Sequence, residues 1–138
     1  MTVPPASRPE RPGLFVAAVL CHVIEGFVTV VFGTFGILAL AFAGAIVAAN
    51  ARGDDAWVAV VAILAVMGFV AFATGLGLIA LFLAYKAWSL ERVWVIALIA
   101  FSVLTLAAEP CGILVAVLTA IGGMQVLDAQ KRGAPATV

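Results

Sequence analysis

The chain has 138 residues, of which 66% are apolar and only 10% charged, with no net charge and a mean hydropathy of +1.28. A typical soluble domain is about 45–50% apolar and about 25% charged. This composition therefore excludes a water-soluble globule and a disordered chain, and it predicts an integral membrane protein in contact with the lipid bilayer. The balanced charge gives no reason to expect nucleic acid as a partner. One His and two Cys are too few for a multi-His or multi-Cys metal cage.

The charged residues occur in short clusters, and three nearly uncharged runs lie between them, at 14–49, 56–85 and 93–127. A helix that crosses a bilayer needs about 20 apolar residues, so run length alone does not set the number of crossings. The third run contains Glu109-Pro110-Cys111-Gly112, which predicts a tight turn because Pro is costly inside a helix and suits the first turn of a new one. The first run contains Gly33-Thr34-Phe35-Gly36, which lacks both Pro and charge. Because Gly costs a helix only about 1 kcal/mol, we expect one long helix there.

The fold class expected from these breaks is all-α: a polytopic membrane protein with four transmembrane helices in an antiparallel bundle, the first hairpin longer than the second. A disordered cytoplasmic tail is expected at 1–13, a transmembrane domain at 14–128 and a second cytoplasmic tail at 129–138. Within the domain, we expect the helices at about 14–49, 56–86, 92–108 and 111–127.

The positions of Lys and Arg favour four crossings and cytoplasmic termini. With four crossings, only Arg52 lies on the outer side, while six cations share the inner side: Arg8, Arg11, Lys86, Arg92, Lys131 and Arg132. Such an excess is typical of cytoplasmic segments. Three crossings would place four cations on one side of the membrane and three on the other. Five crossings would leave one segment of only about 13 residues, which is too short to span.

The first two predicted helices are too long for a plain crossing. At 1.5 Å per residue they reach roughly 54 and 45 Å, against a hydrocarbon core of about 30 Å. Either the first hairpin projects and is covered by further copies or a partner, or it tilts strongly and packs within its own monomer. Small residues allow close helix packing, and the candidates for it are Gly26, Gly33, Gly36, Gly44 and Gly75. Aromatic residues at helix ends indicate interfacial anchors: Trp57, Tyr85, Trp88 and Trp94.

The intramembrane polar residues are the candidates for chemistry. His22 and Glu25 are three residues apart and share one helical face, where they can hydrogen-bond. An ionised carboxylate in hydrocarbon is costly, and such groups often mark proton or cation sites. The alternative is that Glu25 joins helices as a structural hydrogen-bonding residue. Glu109, at the outer turn, either caps the next helix in solvent or faces Glu25 as a further ion-binding candidate.

A metal site made from these groups and Cys111 has no ligand spacing to support it, so we expect no metal and no cofactor. Cys21 and Cys111 are expected near opposite faces, which argues against a disulfide within the chain. We expect Cys21 to be a small core residue.

The second half contains a Trp- and Arg-containing turn in the stretch from Tyr85 to Trp94, and Pro110-Cys111-Gly112 before the last helix. In these features it resembles small, uncharacterised bacterial four-helix membrane proteins. Gly26 and Gly33 fit the same pattern, and the resemblance extends over about 14–128. It implies a four-helix fold in a bacterial inner membrane and carries no assigned activity.

A nucleophile–base pair, a nucleotide-binding loop and a redox motif are all missing from the sequence, so we expect no enzyme. The expected role is a membrane bundle that self-associates through the small-residue faces of its first two helices, as a homo-oligomer or as an accessory or scaffold subunit of a larger complex. The alternative is an oligomeric proton or ion channel or transporter that uses His22 and Glu25.

Overall fold

The structure is a computed structural model that describes residues 11–50, 54–106 and 112–132, and it is all α-helical within these ranges. Its four helices are α1 (Gly13–Asn50), α2 (Asp54–Ala87), α3 (Arg92–Thr105) and α4 (Gly112–Lys131). The predicted all-α class with four helices is confirmed. The predicted turn at 109–111 lies outside the described residues, as do the first ten residues and the last six.

The long first helix forms because nothing in its sequence stops it. α1 continues through Gly33-Thr34-Phe35-Gly36 without interruption, as the absence of Pro and charge there suggested. α4 runs to Lys131, four residues beyond the expected end at 127. The apolar run stops at Leu127, but Ala129, Gln130 and Lys131 are good helix formers and extend the helix.

Among the described residues, three helices are long and apolar enough to cross a membrane: α1, the Ala56–Ala87 part of α2, and α4. α3 has 14 residues and is therefore only about 21 Å long, shorter than a hydrocarbon core of about 30 Å. Length and composition support three spans, and the crossing by the third helix stays a prediction.

The chain divides into two compact units. The hairpin unit is Ile24–Leu81, and the core unit combines the residues up to Val23 with those from Phe82 onward. The core unit therefore contains the start of α1, the end of α2, and all of α3 and α4. Its apolar core draws on each of these four segments and is formed by Phe15, Val19, Leu83, Ala84, Ala87, Val95, Leu98 and Val126.

A glycine pair lets helices approach α4 closely in the core unit. A Cβ placed on Gly122 would lie 2.6 Å from the backbone nitrogen of Phe15, so only a hydrogen fits where α1 meets α4. A Cβ on Gly123 would lie 2.6 Å from the end of the Ile99 side chain on α3. Gly122 and Gly123 thus allow α4 to pack closely against α1 and α3, respectively.

The turn between α2 and α3 contains a strained residue. Leu90 has a φ of 62°, a left-handed conformation that costs a side chain-bearing residue about 1–2 kcal/mol. Its N–H donates to the carbonyl of Ala87 at 2.9 Å, and its own carbonyl accepts a hydrogen bond from Gln130 Nε2 at 2.5 Å. These bonds tie the turn to the last residues of α4.

The hairpin unit packs through small residues and faces outward with large ones. Added Cβ atoms on Gly26 and Gly33 of α1 would collide with Gly77 and Thr74 of α2, respectively. Residue numbers rise in α1 as their partners' numbers fall in α2, so the two segments run in opposite directions within this unit. Its exposed large apolar side chains include six phenylalanines: Phe27, Phe32, Phe35, Phe42, Phe69 and Phe72.

Candidate functional site

His22 lies in a polar cluster inside the core unit. The side chain is 2% exposed, and its Nε2 lies 2.6 Å from Ser102 Oγ on α3 and 3.3 Å from Thr119 Oγ1 on α4. Ser102 and Thr119 are buried as well. One imidazole nitrogen therefore connects α1 with the two helices of the second half of the chain.

The hydroxyl groups determine the direction of these hydrogen bonds. Ser102 Oγ donates to the carbonyl of Leu98 at 2.8 Å, and Thr119 Oγ1 donates to the carbonyl of Val115 at 2.7 Å. A hydroxyl has a single proton, so both oxygens are left as acceptors toward the ring. The network therefore assigns the proton of neutral His22 to Nε2, which donates to both oxygens.

This arrangement satisfies polar groups that would otherwise be costly to bury. Phe101 completes the surroundings of the ring with an edge-on contact, at 6.5 Å between ring centroids. The chemistry available at Nε2 is hydrogen-bond donation that holds three helices in register.

The structure describes some of the other sequence candidates. Glu25 is half-buried on α1 and belongs to the hairpin unit. Glu109 and Cys111 lie outside the described residues, so their places relative to His22 stay a prediction. Cys21 is a free thiol with partial exposure. Within the described ranges, no three His, Cys, Asp or Glu residues come together in a group that could hold a metal ion.

The glycines predicted to pack helices have two different surroundings. Gly26 and Gly33 lie in tight contacts between α1 and α2, and Cβ atoms on Gly36 and Gly44 would touch α2 side chains at 3.4 Å. Gly75 differs, because a Cβ there would meet nothing within 4 Å. The first four glycines face the hairpin interior, and Gly75 leaves a gap on the outer surface of α2.

The predicted aromatic anchors differ in exposure and in contacts. Trp57 and Tyr85 are 71% and 76% exposed, respectively. Trp88 carries the guanidinium of Arg11 over its ring at 4.2 Å. Trp94 is half-buried and packs edge-on against Phe82, at 5.7 Å between centroids.

Sequence reasoning identified His22 but missed both of its hydroxyl partners. Ser102 and Thr119 are isolated polar residues in apolar helices, and that isolation was the available signal. The glycine pair at 122–123 was missed too, although adjacent glycines inside a helix suggest a close contact.

The comparisons add no family or function to this geometry: no protein-family model, no curated protein and no solved structure matches the chain.

Proposed function

We propose that this protein is an integral membrane helical bundle that acts by self-association, or as an accessory or scaffold subunit of a membrane complex. The role is structural and not enzymatic. The observation that carries the proposal is the packing of the hairpin unit, which places glycine and threonine between its helices and exposes phenylalanine on its outer surface. Such a surface requires apolar surroundings along its whole length.

The lengths of the helices support a partner in addition to lipid. α1 and α2 have 38 and 34 residues and are therefore about 57 and 51 Å long. A hydrocarbon core is about 30 Å thick, and transmembrane helices tilt by at most about 40°. At that tilt the helices still extend over about 44 and 39 Å along the membrane normal. The surplus apolar surface favours cover by neighbouring copies.

The outer surface of α2 offers a place for such a contact. Cβ atoms on Gly68 and Gly75 would meet nothing within 4 Å, and the seven-residue spacing puts both glycines on one face. Gly77, which contacts α1, is nine residues from Gly68 and hence on the opposite face. Small residues on an outward face let a second helix approach closely.

Chemical crosslinking and light scattering in mild detergent test this proposal. We expect the wild-type chain to be oligomeric and Gly68→Ile with Gly75→Ile to shift it toward monomer. Ala62→Ile is the matched control, because Ala62 is exposed on a different face of α2. A monomeric wild type would contradict self-association, and equal effects of the control would contradict this face.

We further propose four crossings, with both termini in the cytoplasm of a bacterial inner membrane. Support comes from contacts in the core unit, where Arg11 meets Trp88 and Gln130 meets Leu90. The start of α1, the turn after α2 and the end of α4 thus share one end. Reporter fusions after Asp54 and at the C-terminus should report opposite sides. A C-terminus outside the cell would contradict this topology.

An oligomeric channel or transporter for protons or cations is the second candidate. The observation that favours it is the buried polar cluster around His22, because intramembrane ionisable residues are functional candidates by default. In this candidate His22 and Glu25 form the ion-binding pair. Glu25→Gln should abolish pH-dependent flux into proteoliposomes while the bundle still assembles. Flux that is unchanged by Glu25→Gln would contradict a conducting role for this residue.

A further inference from the structure

One end of the core unit collects most of the cations of the chain. This basic end comprises Arg11 before α1, Lys86 in the last turn of α2, Arg92 at the start of α3, and Lys131 and Arg132 at the end of α4. The contact of Arg11 with Trp88 and the bond from Gln130 to Leu90 bring these segments together.

Aromatic rings hold two of the cations. The guanidinium of Arg11 lies 4.2 Å from the centroid of the Trp88 ring and donates to the Trp88 carbonyl at 3.4 Å. The Lys86 ammonium lies 5.6 Å from the Trp94 centroid and 6.0 Å from that of Phe82. A ring face orients a cation without neutralising its charge, so both positive charges remain available to an anion.

The charge of this end contrasts with the neutrality of the whole chain. Its five described cations stand against two described carboxylates, Glu91 and Asp128. Four of the cations are exposed, and Lys86 is half-buried. Tyr85 and Trp88 provide exposed rings beside them. Amphipathic rings next to cations are typical of the level at which lipid headgroups meet hydrocarbon.

We propose that the basic end binds the phosphate headgroups of anionic phospholipids at the membrane surface. The inference rests on the proposed membrane insertion and adds the class of lipid that the protein prefers. Clustered Lys and Arg next to a membrane-spanning helix attract anionic lipids, by about fivefold in affinity for each charge. The rings of Trp88 and Trp94 keep Arg11 and Lys86 at the depth of the phosphates.

The tryptophans at this end report on the lipid beside them. The chain has three Trp, so Trp57→Phe leaves only Trp88 and Trp94. The full chain with this change is reconstituted in phosphatidylcholine vesicles that contain brominated phosphatidylglycerol or, separately, brominated phosphatidylcholine. We expect stronger quenching by the anionic lipid at equal mole fraction, and a weaker preference in 0.5 M salt, because salt screens exposed charges.

Charge variants test which cations produce the preference for the anionic lipid. Arg92→Gln, Lys131→Gln and Arg132→Gln together should lower the relative affinity for the anionic lipid by about tenfold or more. Arg52→Gln is the matched control, since it removes a cation between α1 and α2, and it should leave the preference unchanged. Unaltered quenching by brominated phosphatidylcholine shows that the triple variant keeps its fold and depth.

Three results would overturn the proposal. Equal quenching by the two lipids would show no headgroup preference, and a preference that survives the triple variant would place it elsewhere. Reversal by millimolar glycerol phosphate would show a site for soluble phosphates instead of a lipid surface. Extraction by alkaline carbonate distinguishes failure of the proposed membrane insertion from failure of the proposed lipid preference. A chain that is extracted contradicts membrane insertion itself, whereas an inserted chain without lipid preference contradicts only this inference.

Discussion

The core unit buries large apolar side chains in its interior, whereas among the described residues of the hairpin unit only Gly26, Gly77 and Ala80 are buried. In the core unit, Phe15 and Leu98 are fully buried, and Nε2 of His22 meets two hydroxyl partners. In the hairpin unit, large side chains point outward and small ones lie between the helices. The core unit resembles the interior of a soluble domain, with side chains fitted to one another.

The difference shows where each unit obtains its stability. Side-chain burial and hydrogen bonds within the chain stabilise the core unit. The hairpin unit has little internal burial of large side chains, so their packing within the unit contributes less to its stability. Changes in the core unit should therefore lower the stability of the monomer, and changes on the outer hairpin surface should alter association.

The largest expected effect is at Gly122, where α1 and α4 meet backbone to backbone. Gly122→Ala places a Cβ 2.6 Å from the Phe15 nitrogen, and backbone atoms cannot rotate away. We expect a loss of about 3 kcal/mol or more in the free energy of unfolding. Denaturation by SDS in mixed micelles measures it. A variant as stable as wild type would contradict the close crossing.

The second effect concerns the acceptors of His22. Ser102→Ala with Thr119→Val removes both oxygens and leaves Nε2–H buried without them, which should cost about 2–3 kcal/mol. Each single change leaves one acceptor and should cost about 1 kcal/mol. Thr119→Ser, which keeps the hydroxyl, is the control. Thermal unfolding in detergent measures all four variants, and a double variant no less stable than the singles would contradict the shared donor.

A smaller effect is expected inside the hairpin unit, where the obstacle is a side chain. Gly33→Ala should cost about 1–2 kcal/mol, because the new methyl collides with the Thr74 hydroxyl. Thr74→Ala removes that hydroxyl, so Gly33→Ala should cost about 1 kcal/mol less in the Thr74→Ala background. A double-mutant cycle in the denaturation assay gives the coupling. Purely additive costs would contradict the contact.

The smallest effect is a gain, at a glycine that faces open space. Gly68→Ala meets nothing within 4 Å and replaces Gly with a better helix former. In a detergent that keeps the chain monomeric, we expect stabilisation by about 0.5–1 kcal/mol. The same assay as for Gly122→Ala applies, and a loss of stability would show that Gly68 has a neighbour within the monomer.

The residues that interrupt a helix, such as Pro and charged residues, determined how much of the fold could be predicted from the sequence. Long apolar runs, with Gly but no Pro at 33–36, correctly indicated an unbroken α1. The extension of α4 to Lys131 was missed, because an apolar run marks a membrane segment and does not mark the end of a helix. Helix-forming polar residues continue the backbone hydrogen bonds beyond it.

Much less of the polar cluster could be predicted. His22 was found because an ionisable residue is rare in apolar sequence. Its meeting with Ser102 and Thr119 depends on the rotation of α3 and α4 about their axes. Helices that are apolar on every side carry no stripe from which a buried face can be read. For the same reason, the sequence could not separate Gly33, inside the hairpin, from Gly75, on its surface.

The division of the core unit between the two ends of the chain sets an order of events during synthesis. His22 and Thr119 are 97 positions apart, and a ribosome that adds about 5–20 residues per second needs roughly 5–20 s to reach the second after the first. The hairpin unit lies between them and is complete while the core unit still lacks two of its helices. The imidazole of His22 is therefore made well before α3 and α4 exist to provide its two hydroxyl partners.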